Sequence, residues 1–317
     1  MHSLPPRISF YRFEIKGAPR VALFYAHFQW VSNVFLCPQQ LYAVIRFAFL
    51  FLKLFVTLSA LSAQERATTA SGKQVVLYAD GTWKPLSAVP AGARLELPAV
   101  EAGNEVVHHT GFSLLYNETH EQAAWVGYVL RASQLGDGVE RKDNFRVDPK
   151  IATGSATPND YRRSGYDRGH LAPAADLAWS DAAMDDSFYM SNMSPQVPGH
   201  NRGVWKRLEE HVRDWARASD SLYVITGPIL KPGLPNIGSN NVSVPEAYFK
   251  AIFHYQGEAS KCIAFIVPNE ASSEPLQHFA VNVDSVEQIT GLDLFYAVED
   301  ELEEQIEATL CLPCWSW

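Results

Sequence analysis

The sequence predicts a mixed α+β domain, and three observations carry that expectation. Between about Gly103 and Thr290, short runs rich in branched and aromatic residues alternate with segments of helical periodicity. No Gly-rich phosphate loop interrupts the alternation, which argues against a doubly wound nucleotide-binding domain. The composition agrees: 47% of the 317 residues are hydrophobic and 12% aromatic, too apolar for a disordered chain. Four cysteines are too few for a disulfide scaffold, and the length suits one large domain with appendages.

From the N-terminus, the first feature is the apolar stretch Leu41–Ala63, LYAVIRFAFLFLKLFVTLSALSA. Arg46 and Lys53 lie inside it, and a charge near the centre of a spanning helix costs roughly 2.5–3.5 kcal/mol. The stretch therefore reads better as a signal peptide than as an anchor. Arg46 and Lys53 would be its positive region, Leu54–Leu61 its apolar region, and Ala60-Leu61-Ser62 the small residues before the cut. The expectation is an exported protein, periplasmic or secreted, with no stable membrane span after cleavage and an anchor only if the segment is kept. Residues 1–40 do not fit a signal, and no methionine lies between Met1 and Met184. They are expected to lie outside the mature protein, with translation starting near Leu41 or Val44. Residues 64–87 then read as a small hairpin module, with a strand at Gln74–Tyr78, a turn at Asp80-Gly81 and a return strand from Thr82-Trp83. Residues 88–102, with Pro90 and Pro98, read as a linker.

The main domain is expected over 103–298. Ala124–Leu130, Leu222–Thr226, Tyr248–Phe253 and Ile263–Val267 read as strands. Ser180–Phe188 reads as a short helix opened by Ser180. Arg202–Arg217 reads as an amphipathic helix on Val204, Trp205, Leu208, Val212 and Trp215. Residues 299–317 read as an acidic helix, Glu299–Glu307, and a tail whose CLPC holds a local disulfide or a free pair.

Chemistry concentrates in Asp160–Glu209. Asp167-Arg168-Gly169-His170 places an acid, an arginine and a histidine side by side. Met190–Gln196 and His200–Trp205 follow as further polar clusters. Asn201, Trp205 and Glu209 sit at successive i+4 steps, which would align them on one helix ridge. On spacing alone a lone histidine is more often structural than catalytic, and an Asn at a helix start more often a cap.

The blocks DRGH (Asp167–His170), AxD (Ala174–Asp176), SNMSPQ (Ser191–Gln196) and NRGxWxxLE (Asn201–Glu209) occur together and in order. Together they resemble the DNA/RNA non-specific endonucleases, the family of Serratia nuclease and mitochondrial endonuclease G. The likeness extends more loosely from about Phe112 to Leu294, through ITGPIL and VPEAYFK. It implies a ββα-metal (His-Me finger) fold with a mixed or antiparallel central sheet and flanking helices. It also implies hydrolysis of DNA and RNA with one divalent metal, Mg²⁺ before Mn²⁺.

By the same resemblance His170 would be the general base, Asn201 the one direct metal ligand, and Glu209 an orienter of water around the metal. Arg168 would neutralise phosphate charge, Asn192 would position the histidine or those waters, and Asp167 would be a structural partner of the turn. Relatives of this kind pair as homodimers, but no interface is legible here.

The net charge of -9 excludes coating of nucleic acid through bulk charge. The segment Arg141–His170 is locally basic, through Arg141, Lys142, Arg146, Lys150, Arg162, Arg163 and Arg168. It reads equally as a backbone-binding groove or as an ordinary solvated face. Arg162, Arg163 and Arg202 are the expected substrate contacts. The alternative from another class is an envelope-attached nucleic-acid-binding protein on an inactive nuclease scaffold.

Overall fold

The computed structural model describes residues 65–68, 74–77, 81–85, 92–136, 138–257 and 259–317. The expectations for 1–40 and for the signal segment 41–63 lie outside these. Within the hairpin module, β1 (Glu65–Thr68) precedes β2 (Gln74–Leu77) and β3 (Trp83–Pro85), so both expected strands occur and an earlier one joins them. Among the described residues no helix is long and apolar enough to cross a membrane.

The remainder is organised by one seven-stranded sheet. Its strands are β4 (Val106–His108), β5 (Ser113–Asn117), β6 (Gln122–Arg131), β9 (Ser221–Pro228), β12 (Ala247–His254), β13 (Lys261–Pro268) and β14 (Ala280–Val281). They lie in the order β14-β13-β12-β9-β6-β5-β4, every neighbouring pair antiparallel. Two-stranded ribbons are formed by β7 (Asp167–His170) with β8 (Met193–Gln196) and by β10 (Asn236–Ile237) with β11 (Val242–Ser243).

Successive side chains on a strand point to opposite faces, and here both faces are buried. Val126, Tyr128, Leu222, Val224, Tyr248, Ile252, Ile263 and Phe265 face one apolar layer. Trp125, Ile225, Phe249, Ala251, Phe253, Cys262 and Ala264 face the other. Double coverage explains why these strands read as nearly continuous apolar runs rather than as alternating ones.

Four helices complete the layers: α1 (Asp181–Ser187), α2 (Lys206–Ser219), α3 (Val283–Thr290) and α4 (Asp300–Glu307). The Ser180 side chain accepts from the Ala183 N–H, the cap that the sequence signals. Leu208, Val212 and Trp215 of α2 pack into the first layer, and Val283, Val286 and Ile306 of α3 and α4 into the second.

Two expectations are revised. The ridge of Asn201, Trp205 and Glu209 is broken. His200–Trp205 forms a wide π-type turn in which Gly203 takes φ -109° and ψ -107°, outside the helical region, and regular helix starts only at Lys206. The expected linker 88–102 is packed from residue 92 onward, with Leu95 and Glu96 buried. The Glu96 carbonyl lies where a Cβ on Gly127 would stand, so only glycine fits there.

The tail, unassigned from sequence, is a clamp on α2. Cys311 and Cys314 form a disulfide, Trp315 packs 4.5 Å from Trp215 between ring centroids, and Trp317 stacks on His211. His211 Nε2 and Trp215 Nε1 both donate to the Ser316 carbonyl. Cys262 is a buried free thiol that donates to the Ile306 carbonyl. Trp315→Ala is expected to lower unfolding free energy by about 3 kcal/mol in urea titrations, as for other large-to-small core changes.

Candidate active site

The site is built on the β7–β8 ribbon, which pairs Asp167 with Gln196, Arg168 with Pro195, Gly169 with Ser194 and His170 with Met193. Gly169 is required by contact: a Cβ there would stand 2.1 Å from Gln196 Cδ. The SNMSPQ block works as a hydrogen-bonded staple for this ribbon. Ser191 Oγ donates to Asp148 Oδ2 at 2.5 Å, and Ser194 Oγ donates to Gln122 Oε1 at 2.5 Å. The Pro195 carbonyl accepts from Tyr248 OH at 2.8 Å and from Asn269 Nδ2 at 3.0 Å.

Asn192 is fully buried and spent on backbone. Its Oδ1 accepts from Ala172 N–H, and its Nδ2 donates to the carbonyls of Ala172 and Ser187, each at 2.9 Å. It therefore fixes the strand end two residues after His170 rather than reaching the imidazole itself.

His170 sits in an aromatic cage. Its ring lies 5.1 Å from Phe188, edge to face, and 5.8 Å from Phe145. The Arg168 guanidinium lies over the Phe145 ring at 4.2 Å and that of Arg141 over Phe188 at 5.0 Å. Burial, then the charges of Arg141 and Arg168, push the imidazole down from 6.5 to about 3. Its Nε2 is shut from solvent and has no hydrogen-bond partner among the described residues.

Asp167 ties the ribbon to the π-type turn. Asn201 Nδ2 donates to Asp167 Oδ2 at 2.9 Å, and Arg202 grips both carboxylate oxygens, at 2.8 and 2.6 Å. Burial alone would raise the Asp167 carboxyl, but the bonds from Arg202 and Asn201 outweigh it and hold the carboxyl below its ordinary value. Because Asn201 spends its NH₂ on Asp167, its Oδ1 is left as a free acceptor, suited to a hard cation.

Glu209 lies in a third group. Its carboxylate takes no hydrogen bond among the described residues; burial pushes it up, and the Lys250 charge opposes that shift. Lys250 is fully buried, with its Nζ unpartnered and 4.9 Å from the Trp205 ring, and burial pushes it down against the pull of Glu209. Asp176 of the AxD block accepts from Tyr128 OH at 3.0 Å and pairs with Arg213 at 2.7 Å. Lys250 and Arg213 were not singled out from sequence, and Arg141 only as one of the locally basic residues. The one available signal for Lys250 was a lysine inside the otherwise apolar AYFKAIFH.

Four of the seven residues in the basic surplus are engaged by neighbours outside the ribbon. Lys142 pairs with Asp181 and Asp185, Arg141 with Asp143, Arg146 stacks on Tyr189, and Lys150 donates to the His108 carbonyl. Arg162 and Arg163 are exposed. Arg162 and Arg168 line a cavity of about 360 Å³ with Tyr161, Tyr166 and Asp167. Arg202 is exposed but committed to Asp167.

A family model described as DNA/RNA non-specific endonuclease matches residues 95–301. Mitochondrial endonuclease G of Homo sapiens is 40% identical over 57% of this chain, which spans 66% of that relative, just under two thirds. Mitochondrial endonuclease G of Bos taurus is 38% identical over 63% of this chain and 71% of its own length. In the crystal structure of an EndoG/EndoGI complex, one chain superposes with a TM-score of 0.60 at 33% identity, covering 65% of this chain and 90% of that one. The antiparallel sheet with flanking helices is thus the ββα-metal nuclease fold that the motifs imply. Both relatives are mitochondrial by name, which overturns the expectation of an exported, periplasmic or secreted protein.

Two outcomes follow from the geometry. Asn192→Ala strands two buried carbonyls and one N–H and should cost at least about 2 kcal/mol of stability by denaturant titration. The folded pKa of His170 lies below the free value, so between 6.5 and about 3 the unfolded chain binds more protons and folded stability falls on acidification. NMR titration should therefore show His170 uncharged throughout the range above about pH 5.

Proposed function

The chain belongs to the DNA/RNA non-specific endonucleases, hydrolases of phosphodiester bonds, and from that premise we propose that His170 is its general base and Asn201 its metal ligand. The observation that carries the reading is the caged imidazole. A general base must be uncharged to take a proton, and burial between Phe145 and Phe188 keeps His170 so. Its Nε2 is enclosed, which leaves Nδ1 to remove the proton from the attacking water. Arg168, held flat on Phe145, faces the phosphate and offsets charge that builds at phosphorus; Arg141, on Phe188, flanks it. Asn192 acts through the backbone that follows His170.

Members of this family use a divalent metal. The residues present fit one: among the described residues neither Asn201 Oδ1 nor the Glu209 carboxylate takes a hydrogen bond. Asn201 would hold the ion and Glu209 would orient water around it, with Mg²⁺ the ion such oxygen donors suit. Bound there, the metal supplies positive charge to the phosphate and the leaving oxygen. Arg162 and Arg163 stand exposed as contacts to phosphates on either side of the cut, so recognition goes to the backbone and carries little sequence preference.

Plasmid DNA and RNA should both be cut with Mg²⁺ and neither with EDTA. His170→Ala and Asn201→Ala are each expected to lose about 10²–10⁴-fold in kcat while remaining folded by circular dichroism. Full activity in either variant would overturn the assignment, and no cutting by the folded wild type with any divalent metal would favour the binding-scaffold alternative. The acid limb of kcat/KM should lie below 6.5, the ordinary imidazole value. Arg162→Ala with Arg163→Ala should raise KM and flatten its salt dependence.

A further inference from the structure

A group of carboxylates unrelated to the cleavage site lies between the two C-terminal helices. Asp284 and Glu287, one turn apart on α3, and Glu307 at the end of α4 bring carboxylate oxygens within 4.8 Å of one another. Acidic side chains often gather on surfaces without consequence, but Glu307 is 5% exposed and its Oε1 has no hydrogen-bond partner among the described residues. Glu303, one turn earlier on α4, also has a buried, unpartnered Oε1. The charges acting most strongly on Glu307 are Glu287, Glu303, Asp284 and Asp293, all negative. Glu287 is already fixed in place, since its Oε1 accepts from the Leu294 N–H at 2.6 Å.

An unpaired buried carboxylate is costly, and several sharing one space are costlier still. Only a cation or added protons can settle the group. Burial and the neighbouring acids push Glu307 up to about 9 and Glu303 up to about 7, the mark of a group short of positive charge.

We propose that Asp284, Glu287 and Glu307 form a second cation site, separate from the catalytic one, that takes Ca²⁺ and pins α4 to α3. The donors are all oxygen, which selects a hard ion. Convergence of three carboxylates suits calcium, whereas magnesium usually keeps its waters and takes one or two. The site lies beside the apolar layer of Val283, Val286, Cys262 and Ile306, on the face of the sheet opposite α2. Its role is therefore to hold the C-terminal helices on the sheet rather than to touch substrate.

The test is thermal unfolding of the EDTA-treated full chain at pH 7.5, with Ca²⁺ and with Mg²⁺. Calcium at about a hundred times its Kd should raise Tm by roughly 5–10 °C. The rise should persist in Asn201→Ala and vanish in Glu307→Gln and in Asp284→Asn. Glu307→Gln, which mimics the protonated form, should leave the metal-free Tm and the cleavage rate in saturating Mg²⁺ unchanged. No calcium-dependent rise in the wild type, an equal rise with magnesium, or a rise retained by Asp284→Asn would overturn the proposal. If Glu307→Gln fails to fold, Asp284→Asn alone decides the matter.

Discussion

One imidazole must stay uncharged beside two guanidiniums, and much of this structure serves that requirement. Burial pushes His170 toward its neutral form, and its positive neighbours add to the same push. Phe145 and Phe188 supply both effects, because each ring faces the imidazole and also carries an arginine on its face. The rings thus hold imidazole and cations at fixed separation, where flexible side chains in water would not. Such a cage is only as firm as its backbone. Gly169 lets Gln196 approach the strand, Asn192 fixes the residues after His170, and Ser194 and Tyr248 anchor the partner strand to the main sheet.

Behind the ribbon the protein tolerates an unusual load of buried charge. Tyr128, Asp176, Glu209, Arg213 and Lys250 meet under Trp205. Asp176 and Arg213 are satisfied by each other, whereas among the described residues Lys250 lacks a hydrogen-bond acceptor and Glu209 a donor. Replacing such a group by apolar residues would often gain stability, so its presence argues for a task at the site. A cation held by Asn201 and Glu209 would rebalance these charges.

The parts of the site that were legible in the sequence are those contiguous along the chain. DRGH, SNMSPQ and the start of α2 each place several functional groups within a few residues, and short-range spacing survives folding. The strands of β6, β9, β12 and β13 were equally plain, being long branched runs buried on both faces. What was lost is what depends on partners far apart. Lys250 meets Glu209 only because β12 packs under α2. The tail gains its purpose only when Trp315 meets Trp215. Periodicity also assumed a regular helix through Gly203, and the π-type turn there sends Asn201 to Asp167 instead of along the ridge. Leu41–Ala63 misled about location because an apolar segment with flanking charge fits more than one kind of targeting.

Net charge and local charge act at different ranges, which reconciles an acidic protein with a polyanionic substrate. The excess of acids is placed partly on α3 and α4, on the face of the sheet opposite α2. Arg141, Arg162 and Arg168 gather instead around the ribbon whose following residues, Leu171 and Ala172, pack into the α2 layer. Salt screens interactions beyond about 8–10 Å, so a bound strand feels the arginines beneath it far more than the distant acids. The acids still act on the encounter, where they repel strands that approach from the wrong side. The arginines around the ribbon would thus give a nucleic acid one face to settle on, while the C-terminal helices hold like charges together around Glu307.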